Sequence, residues 1–123
     1  MKDIRELTKA EEQLMKVVWQ IGKGTIKEIT DRMPEPKPAY NTVATVLKVL
    51  KGKNVVDVEA NGNVFIYYPL VAEKDYRRFA FDKVFEGYFS GSYHSLVSFL
   101  VEEKDLDEET YQRLKQLADK LKN

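Results

Sequence analysis

Asn41, Thr42 and Thr45 are small polar side chains one helical turn apart, so a helix through them presents all three together. These residue types suit the edges of base pairs. Threonine offers a methyl group to thymine or a hydroxyl to phosphate, and asparagine pairs with the edge of adenine. From Pro36 through Val56 there is no acidic residue, although acids are frequent elsewhere, and the same window carries Lys37, Lys48, Lys51 and Lys53. Lysines so placed would neutralise phosphates with no carboxylate beside them to repel the backbone. A merely solvated polar face is the other reading of such a window. A second candidate is Asn61-Gly62-Asn63, which could touch the minor groove or the sugar-phosphate backbone, or serve turn geometry alone.

The elements needed to position these residues follow from periodicity. Thr8-Lys9-Ala10-Glu11 is a capping box that opens a first helix, with Ala10, Leu14, Val17, Val18 and Ile21 on one face and Trp19 at its margin. Gly22 and Gly24 stop it. A second, shorter helix is expected from about Thr25 to Met33, burying Ile26, Ile29 and Met33. Pro34, Pro36 and Pro38 then hold the connection extended or turned. A third helix is expected from Ala39 or Tyr40 to about Lys53, with Val43, Val46, Leu47 and Leu50 as its apolar stripe. It presents Asn41, Thr42 and Thr45 on the opposite face.

Beyond Lys53 the period changes. Val56, Val58 and Ala60 alternate with acids, and Val64 to Tyr68 is rich in β-branched and aromatic residues, which gives a hairpin closed by Pro69. Three helices followed by a hairpin is the layout of a winged helix-turn-helix. The expected fold is therefore mainly α with a small β-hairpin: a DNA-binding domain over residues 1–70 and a helical dimerisation domain over 71–123.

The second part carries an aromatic helix ending near Ser90-Gly91, a short helix marked by Leu96, Phe99 and Leu100, and a last helix capped by Asp107 with Tyr111, Leu114, Ala118 and Leu121 on one side. About fifty residues alone would bury a poor core. Some rings are expected to pack within the chain, but a core shared between two copies accounts for the set Phe79, Phe85, Tyr88, Phe89, Leu96, Phe99, Leu100, Leu114 and Leu121. It would also give the two-fold symmetry that an inverted repeat demands.

Composition removes several other classes. With 20 basic and 20 acidic residues, net charge does not indicate a partner, and the absence of cysteine excludes disulfides, thiol nucleophiles and thiolate metal sites. His94 stands alone, and the acids from Glu102 to Glu109 lack the order of a calcium loop. No metal, cofactor or catalytic constellation is expected. Nor is membrane insertion, so the protein is expected in the cytoplasm. A winged-helix module for protein contacts without DNA binding remains an alternative on these residues, since a fold does not fix a function.

The chain resembles the BlaI/MecI penicillinase repressors, a branch that also includes CopY-type copper repressors. Four segments carry the likeness: Leu7–Glu11 with Leu14–Trp19, Tyr40–Leu47, Val64–Val71, and Ser95–Leu106. The resemblance covers nearly the whole length and implies a homodimer that binds a short inverted-repeat operator in double-stranded DNA and blocks transcription in a β-lactam-responsive or related regulon. It places Thr42 and Thr45 on DNA, within an expected contact set of Lys37, Tyr40, Asn41, Thr42, Thr45, Lys48, Lys51, Asn61 and Asn63. It also implies a membrane receptor-protease system that senses the inducer, with repression relieved by cleavage in the dimerisation domain or by another signal. Phe99-Leu100 stands where some members carry a cleavable Asn-Phe bond, and the cysteine motif of the copper-sensing branch is absent.

Overall fold

The computed structural model describes residues 4–103 and 105–122. The chain divides into two compact units, one ending at Arg77 and the other beginning at Arg78. The first therefore runs past the break expected near residue 70 and takes in the first turn of the following helix.

In the first unit, α1 (Lys9–Ile21) opens on the expected capping box, in which Thr8 Oγ1 accepts from Glu11 N–H and Glu11 Oε1 accepts from Thr8 N–H. It stops at Gly22, whose φ of 84° suits a residue without Cβ and whose N–H donates to the Val18 carbonyl. The buried stripe of α1 is Glu11, Leu14, Met15 and Val18, joined by Val17. Ala10, expected on this face, is exposed, and Met15 is fully buried in its stead. A carboxylate in the stripe disguises its true phase from a search for apolar residues alone.

Helix α2 (Ile26–Asp31) begins on a second capping box, Thr25 with Glu28, and ends two residues earlier than expected, though Met33 beyond its end is still buried. Helix α3 (Tyr40–Gly52) follows the proline segment. Val43, Leu47 and Leu50 are buried and Val46 is half-buried, so the expected stripe faces the core. Burying each such side chain stabilises the unit by roughly 1.5–3 kcal/mol.

Strands β1 (Val56–Asn61) and β2 (Val64–Pro69) form an antiparallel hairpin in which Asn61 pairs with Val64 and Val56 with Pro69. Of the two turn residues only Gly62 takes a positive φ, as in a type II′ turn. Gly24 bridges Tyr67 with paired backbone bonds, tying the α1–α2 connection to the hairpin. The segment after the hairpin is anchored to α1. Trp19 Nε1 donates to the Val71 carbonyl at 2.8 Å, the Tyr76 hydroxyl accepts from Leu7 N–H at 2.9 Å, and the Trp19 and Tyr76 rings lie 5.9 Å apart.

Helix α4 (Glu73–Phe89) continues into the second unit, which also holds α5 (Tyr93–Glu103) and α6 (Glu108–Leu121). Ser90 and Gly91 end α4 with positive φ, and Asp107 caps α6 by accepting from Thr110 N–H. Phe85 packs between Phe81 and Tyr93 at centroid distances of 5.3 and 4.8 Å, and Phe89 meets Phe99 edge-on at 5.5 Å. No helix among the described residues is long and apolar enough to cross a membrane.

Candidate nucleic-acid interface

With Val43, Leu47 and Leu50 turned inward, helical geometry aims Asn41, Thr45 and Lys48 in the opposite direction, with Thr42 and Val49 along one flank. All five are exposed. The helix has no side-chain N-cap, because Ala39 precedes it, so the amides of its first turn carry no side-chain cap. Those amides and the partial positive charge of the helix start suit a phosphate group.

The Thr45 hydroxyl donates to the Asn41 carbonyl at 2.9 Å. Its proton is thereby committed within the helix, which leaves the methyl group and the remaining oxygen lone pair for a partner. A methyl group so held is suited to apolar contact with a thymine methyl. Asn41 keeps its side-chain amide free among the described residues.

The four lysines of the acid-free window have different fates. Lys48 and Lys51 are exposed and have no partner among the described residues. Lys37 is exposed, but its ammonium donates to the Asp31 carbonyl. Lys53 is drawn inward to Glu11 at 2.7 Å, with side chains only 24% and 7% exposed, and is not available to a phosphate. Burial alone would raise the Glu11 carboxyl, but hydrogen bonds from Lys53 and the Thr8 backbone, with the attraction of the Lys53 charge, hold it below its ordinary value.

At the hairpin tip Asn61 and Asn63 are exposed, with no charged residue between them. Further down β1 the charge of Glu59 is offset by Lys23 at 3.8 Å, though both are well exposed and such a pair contributes little. Val64 and Phe65 are 48% and 55% exposed, and with Tyr40, Thr25, Ile26, Lys27 and Asn63 they line a shallow groove beside the start of α3. Tyr40, Asn63 and the hairpin tip are thus brought together. Val64 and Phe65 carry no mark of the groove in the sequence beyond their nearness to the turn, since strand composition accounts for both.

The residues expected at a dimer contact all lie in α4, α5 and α6. Phe85 is buried within the chain, whereas Tyr88 is 83% and Phe99 41% exposed, and Phe79, Phe89, Leu96, Leu100, Leu114 and Leu121 are half-buried. The Phe99-Leu100 bond lies inside α5.

Comparison with known proteins supports the fold class. A family profile described as "Penicillinase repressor" matches residues 7–120. The Penicillinase repressor of Bacillus licheniformis is 27% identical over 124 aligned positions, covering 100% of this chain and 97% of that one. The solution structure of the DNA-binding domain of the repressor BlaI superposes with a TM-score of 0.53 at 30% identity, over 62% of this chain and 94% of that domain. The Bacillus licheniformis BlaI monomeric form in complex with the blaP half-operator does so with a TM-score of 0.52 at 30% identity and the same coverage. These proteins are transcriptional repressors, not enzymes.

Proposed function

The chain belongs to the penicillinase repressor family, and from that premise we propose that it binds an inverted-repeat operator in double-stranded DNA as a homodimer and represses the genes behind it. The observation that carries this reading is the outward face of α3. Asn41, Thr42, Thr45 and Lys48 are exposed together on a helix whose other side is locked into the core, in a window without a single acid. The solved structures similar to this chain include a repressor monomer in complex with a half-operator, which supports a DNA-binding role, and a helix with this outward face suits the major groove.

In this reading Thr42, Thr45 and Asn41 meet base edges. Lys48, Lys51 and Lys37 meet phosphates, Lys37 by exchanging its bond to the Asp31 carbonyl. Tyr40, Asn61 and Asn63 follow the backbone from the groove at the hairpin tip. The second unit supplies the two-fold axis through α4, α5 and α6, and the exposed Tyr88 and Phe99 support that role.

The regulon is one of β-lactam or related resistance, in the cytoplasm, and a membrane receptor-protease ends repression by cutting within the second unit. Phe99-Leu100 is the bond that falls in the corresponding segment. Since it lies within α5, the helix must open locally before a protease can reach extended backbone there.

A fluorescence-anisotropy titration tests the function. The full chain is titrated against the DNA upstream of its own gene and against a scrambled duplex at the same salt concentration. Tight, salt-dependent binding to the first alone is expected. Equal weak binding to both would sink the claim of operator recognition.

A further inference from the structure

The geometry points to Glu11 and Lys53 as positioning residues of the recognition helix, which set operator discrimination without touching DNA. This inference rests on the reading of the protein as an operator-binding repressor.

Helix α3 is held to the core by Val43, Leu47 and Leu50, and contact of that kind is non-directional. Close packing of that stripe resists displacement, but it supplies no directional bond that specifies one position along the helix axis. No side-chain cap fixes the beginning of α3, which is the end that bears Asn41, Thr42 and Thr45. Its far end is fixed. Lys53, the C-cap residue, donates through its ammonium to Glu11 Oε1 at 2.7 Å, across 42 positions of sequence. The same carboxylate oxygen accepts from Thr8 N–H at 2.9 Å inside the capping box of α1. One oxygen of the buried Glu11 side chain thus joins the N-cap of α1 to the C-cap of α3. Ion pairs of this kind add little net stability over apolar replacements, and their best-attested use is to fix register. A register fixed at Lys53 is carried by the rigid helix to Thr45 and Asn41.

Lys53 lies in the same acid-free window as Lys48 and Lys51, so composition alone does not separate it from them. Burial separates them. Lys48 and Lys51 should act on any DNA, whereas Lys53 should act on the correct sequence only.

The test begins by selecting a duplex from a randomised pool with the full wild-type chain, then measures affinity for that duplex and for a scrambled one by anisotropy across a salt series. The central variant is Glu11→Gln/Lys53→Met. It removes both charges, leaves no unpaired one and retains an oxygen for Thr8 N–H, so it should stay folded by circular dichroism. The expected result is a loss of about tenfold in affinity for the selected duplex. Scrambled binding and the salt slope should be unchanged, and Lys53→Arg should restore most of the discrimination. Wild-type discrimination in the folded double variant overturns the inference. So does an equal loss on both duplexes with a flatter salt slope, which would make Lys53 a phosphate contact. A pool that yields no enriched duplex overturns the reading of function itself, and is seen before any variant is made.

Discussion

The two units of the chain treat apolar surface differently. In the first, Leu14, Met15, Val18, Ile29, Val43, Leu47, Leu50 and Val56 all lie below 2% exposure, and they come from helices and hairpin alike. In the second, only Phe85, Val97 and Ala118 are buried among the described residues, while Phe81, Val84, Tyr88, Tyr93, Phe99 and Leu117 are each more than 40% exposed. A unit that closes its own core can keep a polar face rigid and offer it to a ligand. A unit that leaves rings exposed has surface to give to a second copy. The difference matches the two tasks proposed for the chain, reading DNA and pairing with a second copy, to two kinds of core.

Leu47→Ala should produce the largest effect. Leu47 is fully buried beneath the reading face, and such a truncation destabilises by about 2–5 kcal/mol through lost burial and the cavity left behind. Trp19 is the only tryptophan and belongs to the first unit, so its fluorescence during urea unfolding reports the loss there. A change below about 1 kcal/mol would mean that the first core is looser than its burial implies.

Next in size is Tyr88→Ala in the second unit. Tyr88 has no ring partner among the described residues, so its removal should leave the Trp19 transition where it is. If α4 lies at the centre of a dimer contact, self-association measured by sedimentation should weaken by about 2 kcal/mol or more. An unaltered dimer would move the contact to another face, and a lowered Trp19 transition would break the separation between the units.

Substitutions on the reading face should be smaller and should differ from one another. Thr45→Ala is expected to cost about 1–3 kcal/mol on the operator and to relax its sequence preference, with the fold intact. Lys48→Ala should weaken binding to every sequence alike and lower the salt slope by about one. A slope change with Thr45→Ala, or a sequence-confined effect with Lys48→Ala, would exchange their roles.

Legibility in the sequence followed the range of the interaction. The capping box at Thr8, the stop at Gly22, the turn at Gly62 and the cap at Asp107 depend on three or four neighbouring residues, and the structure forms each as expected. The outward set of α3 was legible for the same reason, since one stripe determines the opposite face. The destination of Lys53 was not. Nothing within a helical turn of it marks a partner, and Glu11 becomes one only after α1 and α3 have packed. The inward place of Met15 was obscured by the same carboxylate, because an acid in a buried stripe breaks the apolar pattern that gives the phase. The continuation of the first unit to Arg77 depends on Trp19 reaching Val71 and Tyr76, again a contact across the fold.

Acid should produce the smallest effect, and it sharpens the comparison because each unit holds a carboxyl lowered by the folded state, with the exposed Asp31 a second in the first unit, lowered by its hydrogen bond from Lys27. In the first, burial opposes the Lys53 and Thr8 contacts of Glu11, and the contacts prevail. In the second, Asp107 is lowered by its hydrogen bonds to Thr110, side chain first and then backbone, at an exposed helix start. A folded pKa below the unfolded one means stability that is complete above the ordinary carboxylate range and is lost as pH falls through the folded value. Both units should therefore weaken in acid, but through separable groups. Glu11→Gln should reduce the acid dependence of the Trp19 transition, leaving the share of Asp31, and leave that of helicity in the second unit alone. Asp107→Asn, which keeps a capping oxygen without the charge, should do the reverse. If Glu11→Gln flattened both, the two units would unfold as one, and the closed core and the open one would be parts of a single cooperative structure.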